Sequence, residues 1–161
     1  SHHGKDFDRW IVDEVPAATK EAGAPVSDSS PRFIAGLSMG GFGALSLGAR
    51  FGGKFQAISA HSSVTDLREL DQVVEESLLS EPCRGEDVEV LQTILRHRET
   101  LPPTRFDCGL DDRLLSANRE LHRSLEEVGV EHVYEEFSGG HEWSYWERHL
   151  VDTLRFFAEH L

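Results

Sequence analysis

The sequence predicts an α/β domain, a mostly parallel sheet with helices on both faces. Two observations lead there. Four short apolar runs alternate with helical stretches along 161 residues. Strands and helices that alternate in sequence build a parallel sheet, because each crossover returns the chain to the same end. One of the apolar runs passes through a glycine-rich turn directly into a helix. The whole chain, 1–161, reads as a single domain, since a chain of about 150 residues buries roughly two-thirds of its unfolded surface.

Residues 5–22 read as a helix, with Phe7, Trp10, Ile11, Val15 and Ala18 recurring at spacings of three and four. Gly23 and the loop 24–31 end it. Residues 32–37 read as a buried strand, 39–50 as a helix rich in small residues, and 55–60 as a second strand. The stretch 62–103 is less regular. It carries helical fragments at 67–79 and 86–98, interrupted by Pro82 and Gly85 and closed by Pro102-Pro103. It reads either as a lid or substrate wall, or as ordinary crossover helices. Residues 104–108 form a third strand. Residues 114–128 form an amphipathic helix with Leu114, Leu115, Leu121, Leu125 and Val128 on one stripe, stopped by Gly129. Residues 131–137 form the fourth strand and 143–161 the last helix.

The formal net charge is −13. Such a field repels phosphate backbones and anionic lipid surfaces, so nucleic acid and membrane are not expected partners. No apolar run approaches the roughly 20 residues of a membrane span. The opening Ser1-His2-His3-Gly4 has no signal-peptide core, and the two histidines alone make no metal site. Cys83 and Cys108 lack C-x-x-C spacing, which fits a reducing compartment and leads to a cytoplasmic expectation. Cys108, in an apolar strand, reads as a buried thiol.

The chemistry concentrates in three segments. Gly36-Leu37-Ser38-Met39-Gly40 lies between a strand and a helix, the setting that the G-x-S-x-G nucleophile turn requires. Side chains at 36 and 40 are expected to collide with neighbouring strand and helix, and Gly41 and Gly43 to let the helix approach the sheet. The turn lifts the Ser38 hydroxyl off the sheet and places the Met39 amide to stabilise an oxyanion. A phosphate loop is excluded, because no Lys-Ser/Thr follows and no G-x-G-x-x-G is present.

A serine hydroxyl needs a base, and in this setting acid and base follow it in the order Asp or Glu, then His. The third strand runs into Gly109-Leu110-Asp111-Asp112. Both aspartates qualify by position. The G-x-x-D spacing favours Asp112, which leaves Asp111 solvated or capping the next helix. The fourth strand runs into Ser138-Gly139-Gly140-His141, where flexible glycines let an imidazole turn inward. Among the other histidines, only His61, just after the second strand, is a candidate for the substrate pocket, and a structural role suits it better. No metal or cofactor is called for.

Together with Phe106-Asp107-Cys108 and Glu142-Trp143-Ser144-Tyr145-Trp146, these segments resemble the putative-esterase family of α/β-hydrolases. That family includes esterase D (S-formylglutathione hydrolase), tributyrin esterases, feruloyl and acetylxylan esterases, and mycolyltransferases. The bacterial tributyrin-esterase-like members are the nearest in look. The resemblance runs from about residue 7 to the C-terminus. It implies an α/β-hydrolase fold with Ser38 as nucleophile, Asp112 as acid, His141 as base and the Met39 amide as an oxyanion donor. Trp143 and Trp146 match the family's aromatic pair, with packing of the last helix their first expected role.

The family's domain usually begins about a hundred residues earlier. The resemblance therefore implies that N-terminal strands are absent, and with them the loop carrying the second oxyanion donor. The strand at 32–37 is expected to have a bare edge, covered either by the rest of a longer protein or by another copy of the chain. Three functions follow. The first is hydrolysis of small carboxylic esters, or thioesters, through an acyl-enzyme. The second is acyl transfer to an alcohol. The third is a catalytically weak remnant.

Overall fold

The computed structural model describes residues 7–68 and 88–161. Four strands form one parallel sheet in the order β1 (Phe33–Leu37), β2 (Ala57–His61), β3 (Thr104–Gly109) and β4 (Val133–Phe137). The helices are α1 (Phe7–Arg9), α2 (Val15–Glu21), α3 (Met39–Arg50), α4 (Val90–Arg96), α5 (Leu115–Glu127) and α6 (Trp143–Ala158). The predicted parallel sheet is present, with all four strands within two residues of their expected limits.

Side chains alternate across each strand. Ile58, Ala60 and Phe106 face α3, α4 and α5, where they join Leu45, Ala49, Val90, Ile94, Leu121 and Leu125 in the main apolar core. The α3 helix approaches closely because it is small on its sheet side. A Cβ at Gly48 would stand 2.5 Å from Ile58, and one at Gly41 would stand 2.9 Å from the Ser63 hydroxyl. Gly40 and Gly43, expected to serve this purpose, have open space around their Cβ positions. They point away from the sheet.

The opposite face is polar. Ser59, His61, Arg105 and Asp107 project toward α6 and are buried. The α6 helix meets them with Tyr145, His149, Thr153 and Phe156, spaced by four, four and three. At the β1 end the contact is apolar, with Phe33 stacked on Phe157 at 4.6 Å between ring centroids.

The N-terminal helix departs from expectation. Phe7, Trp10, Ile11 and Val15 are exposed, and Val12 is the buried residue of the turn. Residues Trp10–Glu14 form a π turn between α1 and α2, which shifts the helical face. Asp8–Arg50 and Asp13–Lys54 ion pairs tie the helix to the end of α3 rather than over a strand. Among the described residues β1 pairs only with β2. A groove of about 870 Å³ lies between this helix and β1, lined by Ile11, Val15, Phe33, Ile34 and Phe55. The apolar stripe has no described strand to cover, so periodicity found the helix and not its partner.

The predicted fragment at 67–79 falls almost wholly outside the described residues. The second fragment is present as α4, which packs in the core. An antiparallel bridge between Asp66 and Glu89, and an Arg68–Glu89 ion pair of 3.1 Å, join the two described ends. The helix at 114–128 begins at Leu115, with Leu114, Asn118, Leu121 and Leu125 buried and Val128 exposed.

Candidate active site

The turn after β1 is strained in the way its sequence requires. Ser38 adopts φ 54° and ψ −120°, a region costly for a residue with a Cβ. Tight packing holds it there. The Ser38 N–H donates to the His61 carbonyl at 2.9 Å. The Ser38 carbonyl accepts from Gly41 at 3.0 Å and from Val64 at 3.1 Å. A Cβ at Gly36 would overlap the Gly40 carbonyl, so only glycine fits there. Met39 opens α3, and its amide is among the N-terminal N–H groups that a helix leaves without an intrahelical partner.

Asp112 follows β3 by three residues. Its N–H donates to the Gly109 carbonyl at 3.1 Å, and its Oδ1 accepts the Leu114 N–H at 2.9 Å. The side chain is fully buried. Burial works to raise its carboxyl. The His141 bond, the Leu114 amide and the nearby Ser62 hydroxyl outweigh that, and the net direction is below the ordinary carboxylate value. Asp111 is exposed, and among the described residues its bond is a backbone one, from its N–H to the Gly139 carbonyl at 2.9 Å.

His141 lies between the two. Its Nδ1 is 2.9 Å from Asp112 Oδ2 and 3.1 Å from Oδ1, and its Nε2 is 2.9 Å from Ser38 Oγ. An ionised carboxylate only accepts, so Nδ1 carries the proton and Nε2 is left to accept from the Ser38 hydroxyl. The structure thus brings Ser38, His141 and Asp112 together in one hydrogen-bonded chain. Trp146 packs edge-on against the imidazole at 5.0 Å and is buried. Trp143 meets Trp146 edge-on at 5.3 Å but is 73% exposed. The expected packing role fits Trp146; Trp143 sits outside the helix interface because its position opens the first turn of α6.

His61 lies elsewhere. It is buried under α6 with Nε2 2.8 Å from Thr153 Oγ1 and Nδ1 2.8 Å from Asp107 Oδ2. Its side chain faces away from Ser38; only its carbonyl reaches the site. Cys108 is buried and unpaired by disulfide, its thiol pushed up to about 12 by burial and the Asp112 charge. Among the described residues no group of three or more His, Cys, Asp or Glu is arranged to hold a metal ion. No described helix is long and apolar enough to cross a membrane.

Two residues escaped the sequence reading. Ser62, fully buried with φ 46°, donates its N–H to the Asp107 carbonyl at 2.7 Å and leads the chain from His61 past Ser38. Asn118 is a buried amide in the apolar stripe of α5, donating to the Ser63 carbonyl at 2.8 Å. The stripe periodicity marks position 118 as inward-facing, so an Asn there is a visible signal.

Comparison with known proteins gives the fold and the family. An acetyl esterase of Caldicellulosiruptor saccharolyticus is 27% identical over 170 residues, covering 95% of this chain and 64% of that protein. The structure of an S-formylglutathione hydrolase from Staphylococcus aureus superposes with a TM-score of 0.83 at 22% identity, over 97% of this chain and 65% of that one. A Staphylococcus aureus fluorophosphonate-binding serine hydrolase gives 0.77 at 23% identity, over 93% and 62%. The chain therefore spans just under two-thirds of the length of these proteins, and at this identity the structural matches establish the α/β-hydrolase fold. The model of the family described as Putative esterase matches residues 2–157, and the chain belongs to that family.

Proposed function

We propose that the chain carries the catalytic centre of a carboxylic-ester hydrolase. The single observation behind this reading is the unbroken chain from Ser38 Oγ through His141 to Asp112, with 2.9 Å on each side of the imidazole. Ser38 Oγ attacks the ester carbonyl carbon while its proton passes to His141 Nε2. The carbonyl oxygen becomes an oxyanion, which the Met39 amide stabilises. Collapse breaks the bond to the alcohol, and His141 returns the proton to the leaving oxygen. An acyl group remains on Ser38. Water, deprotonated by His141, then attacks that acyl-enzyme and releases the acid. Asp112 keeps Nδ1 protonated throughout and offsets the charge that the imidazole gains.

The acyl group is small in this reading, in keeping with the names of the relatives: an acetyl esterase and an S-formylglutathione hydrolase. A thioester runs through the same steps with a thiol leaving. An alcohol in place of water at the second step gives acyl transfer. Hydrolysis of p-nitrophenyl acetate by the chain and by Ser38→Ala tests the proposal. Release of nitrophenol above background by the first and not the second supports it; equal rates refute it.

A further inference from the structure

The polar face under α6 does more than fill space. Asp107, fully buried on β3, gathers three partners. Its Oδ2 lies 2.7 Å from the Arg105 guanidinium and 2.8 Å from His61 Nδ1. Its Oδ1 accepts the Tyr145 hydroxyl at 2.8 Å. Arg105 is itself held by Glu135 at 2.9 and 3.1 Å, and His61 by Thr153 at 2.8 Å. A buried carboxylate held on several sides is a stiff anchor, since any displacement leaves charge unpaired in a low-dielectric interior.

Two members of this cluster lead back to the reacting atoms: His61, whose carbonyl holds the Ser38 N–H, and Tyr145, which reaches the loop that carries His141. The Tyr145 ring lies against the backbone of Gly139; a Cβ there would come within 2.9 Å of Tyr145 Cδ2. Gly139 has φ 134°, a conformation open to glycine that residues with a Cβ rarely adopt. Two residues later comes His141. Burial and the adjacent Asp107 charge push the Tyr145 phenol up, which keeps it protonated and donating. The Gly139 carbonyl accepts from the Asp111 N–H at 2.9 Å.

We infer that Tyr145, anchored on Asp107, is a positioning residue that fixes the Gly139–Gly140 backbone and thereby aims His141 at Ser38. The inference rests on the hydrolase reading for its consequence, since aim matters only if His141 serves Ser38. Its geometric part, the ordering of the loop, stands apart from that reading.

The experiment measures two quantities in the wild-type chain, Y145F and T153V. One is the rate at which a fluorophosphonate labels Ser38. The other is amide hydrogen exchange at Gly140 and His141. Loss of a hydrogen bond to a charged group shifts a local equilibrium by about tenfold or more. Y145F is expected to label about tenfold more slowly and to exchange faster at both loop amides by a similar factor. T153V cuts the same cluster on the side away from the loop, so it is expected to lower thermal stability and to label at the wild-type rate. Wild-type labelling and unchanged loop exchange in Y145F overturn the inference, as does a T153V that slows labelling equally. If the wild-type chain is not labelled, the hydrolase reading fails, and loop exchange alone decides: faster in Y145F upholds the positioning role, unchanged rejects it. Should Y145F not fold, Y145M, which keeps a long apolar side chain without the hydroxyl, is read in the same two ways. Slower labelling with faster loop exchange upholds the inference, and wild-type values of both overturn it.

Discussion

His141 Nε2 stands 2.9 Å from Ser38 Oγ although 103 residues separate them in sequence. Each side chain is delivered by the carboxyl end of a parallel strand, β1 for Ser38 and β4 for His141, with Asp112 arriving from β3 between them. The sheet supplies the alignment, and the loops need only short excursions.

The assignment of the acid is testable. Asp112→Asn should cut ester turnover by about 10⁴-fold, because an amide can no longer hold His141 in the tautomer that accepts from serine. Asp111→Asn should leave turnover within a few-fold of wild type. Steady-state kinetics on p-nitrophenyl acetate read both. A large loss in Asp111→Asn with none in Asp112→Asn would reverse the roles.

The same carboxyl has a consequence for acid stability. Its value in the folded state lies below the ordinary 3.8, so the native state binds fewer protons than the unfolded state as pH falls. The stability it contributes is complete above the ordinary carboxylate range and is lost as pH drops through the lower folded value. Urea unfolding at a series of pH values should show a shallower decline below about pH 4 in Asp112→Asn than in wild type. An unchanged slope would mean that the carboxyl is not held down by its partners.

The buried ion cluster should be costly to break. Arg105 and Asp107 are both almost wholly inaccessible to water. Arg105→Met strips Asp107 of its closest cation and should lower unfolding free energy by about 3–5 kcal/mol, read by chemical denaturation. A loss under 1 kcal/mol would show that water reaches the cluster.

The open edge of β1 makes a prediction about association. Among the described residues the outer side of β1 has no strand partner, and the groove beside it with the exposed Ile11 makes an apolar flank. Such an edge favours pairing with another chain. Sedimentation of the chain should show concentration-dependent self-association, weakened by Ile11→Lys on the exposed wall of the groove. A concentration-independent monomer would argue that the flank is tolerated bare.

Much of the site was readable from sequence because its chemistry sits at fixed offsets. Gly36 must be glycine to clear the Gly40 carbonyl, and an acid or histidine just beyond a strand must lie at the sheet's carboxyl end. The polar face under α6 was harder to see. Arg105 and Asp107 flank Phe106, and that alternation is visible in the sequence. Which groups they meet depends on the register that sets His61 opposite Asp107 and Asp107 opposite Glu135. Register between strands 46 and 28 residues apart is not written in either strand alone. The stripe of the N-terminal helix failed for a related reason. A 3.6-residue period says that a face is apolar, and not what covers it.

The most direct measurement is mass-spectrometric mapping of a fluorophosphonate adduct on the folded chain. The predicted result is one phosphonyl group on Ser38, abolished by Ser38→Ala and strongly slowed by His141→Ala. A folded chain that takes up no label, or takes it up at another serine with Ser38 unmodified, would contradict the assignment of Ser38 as nucleophile.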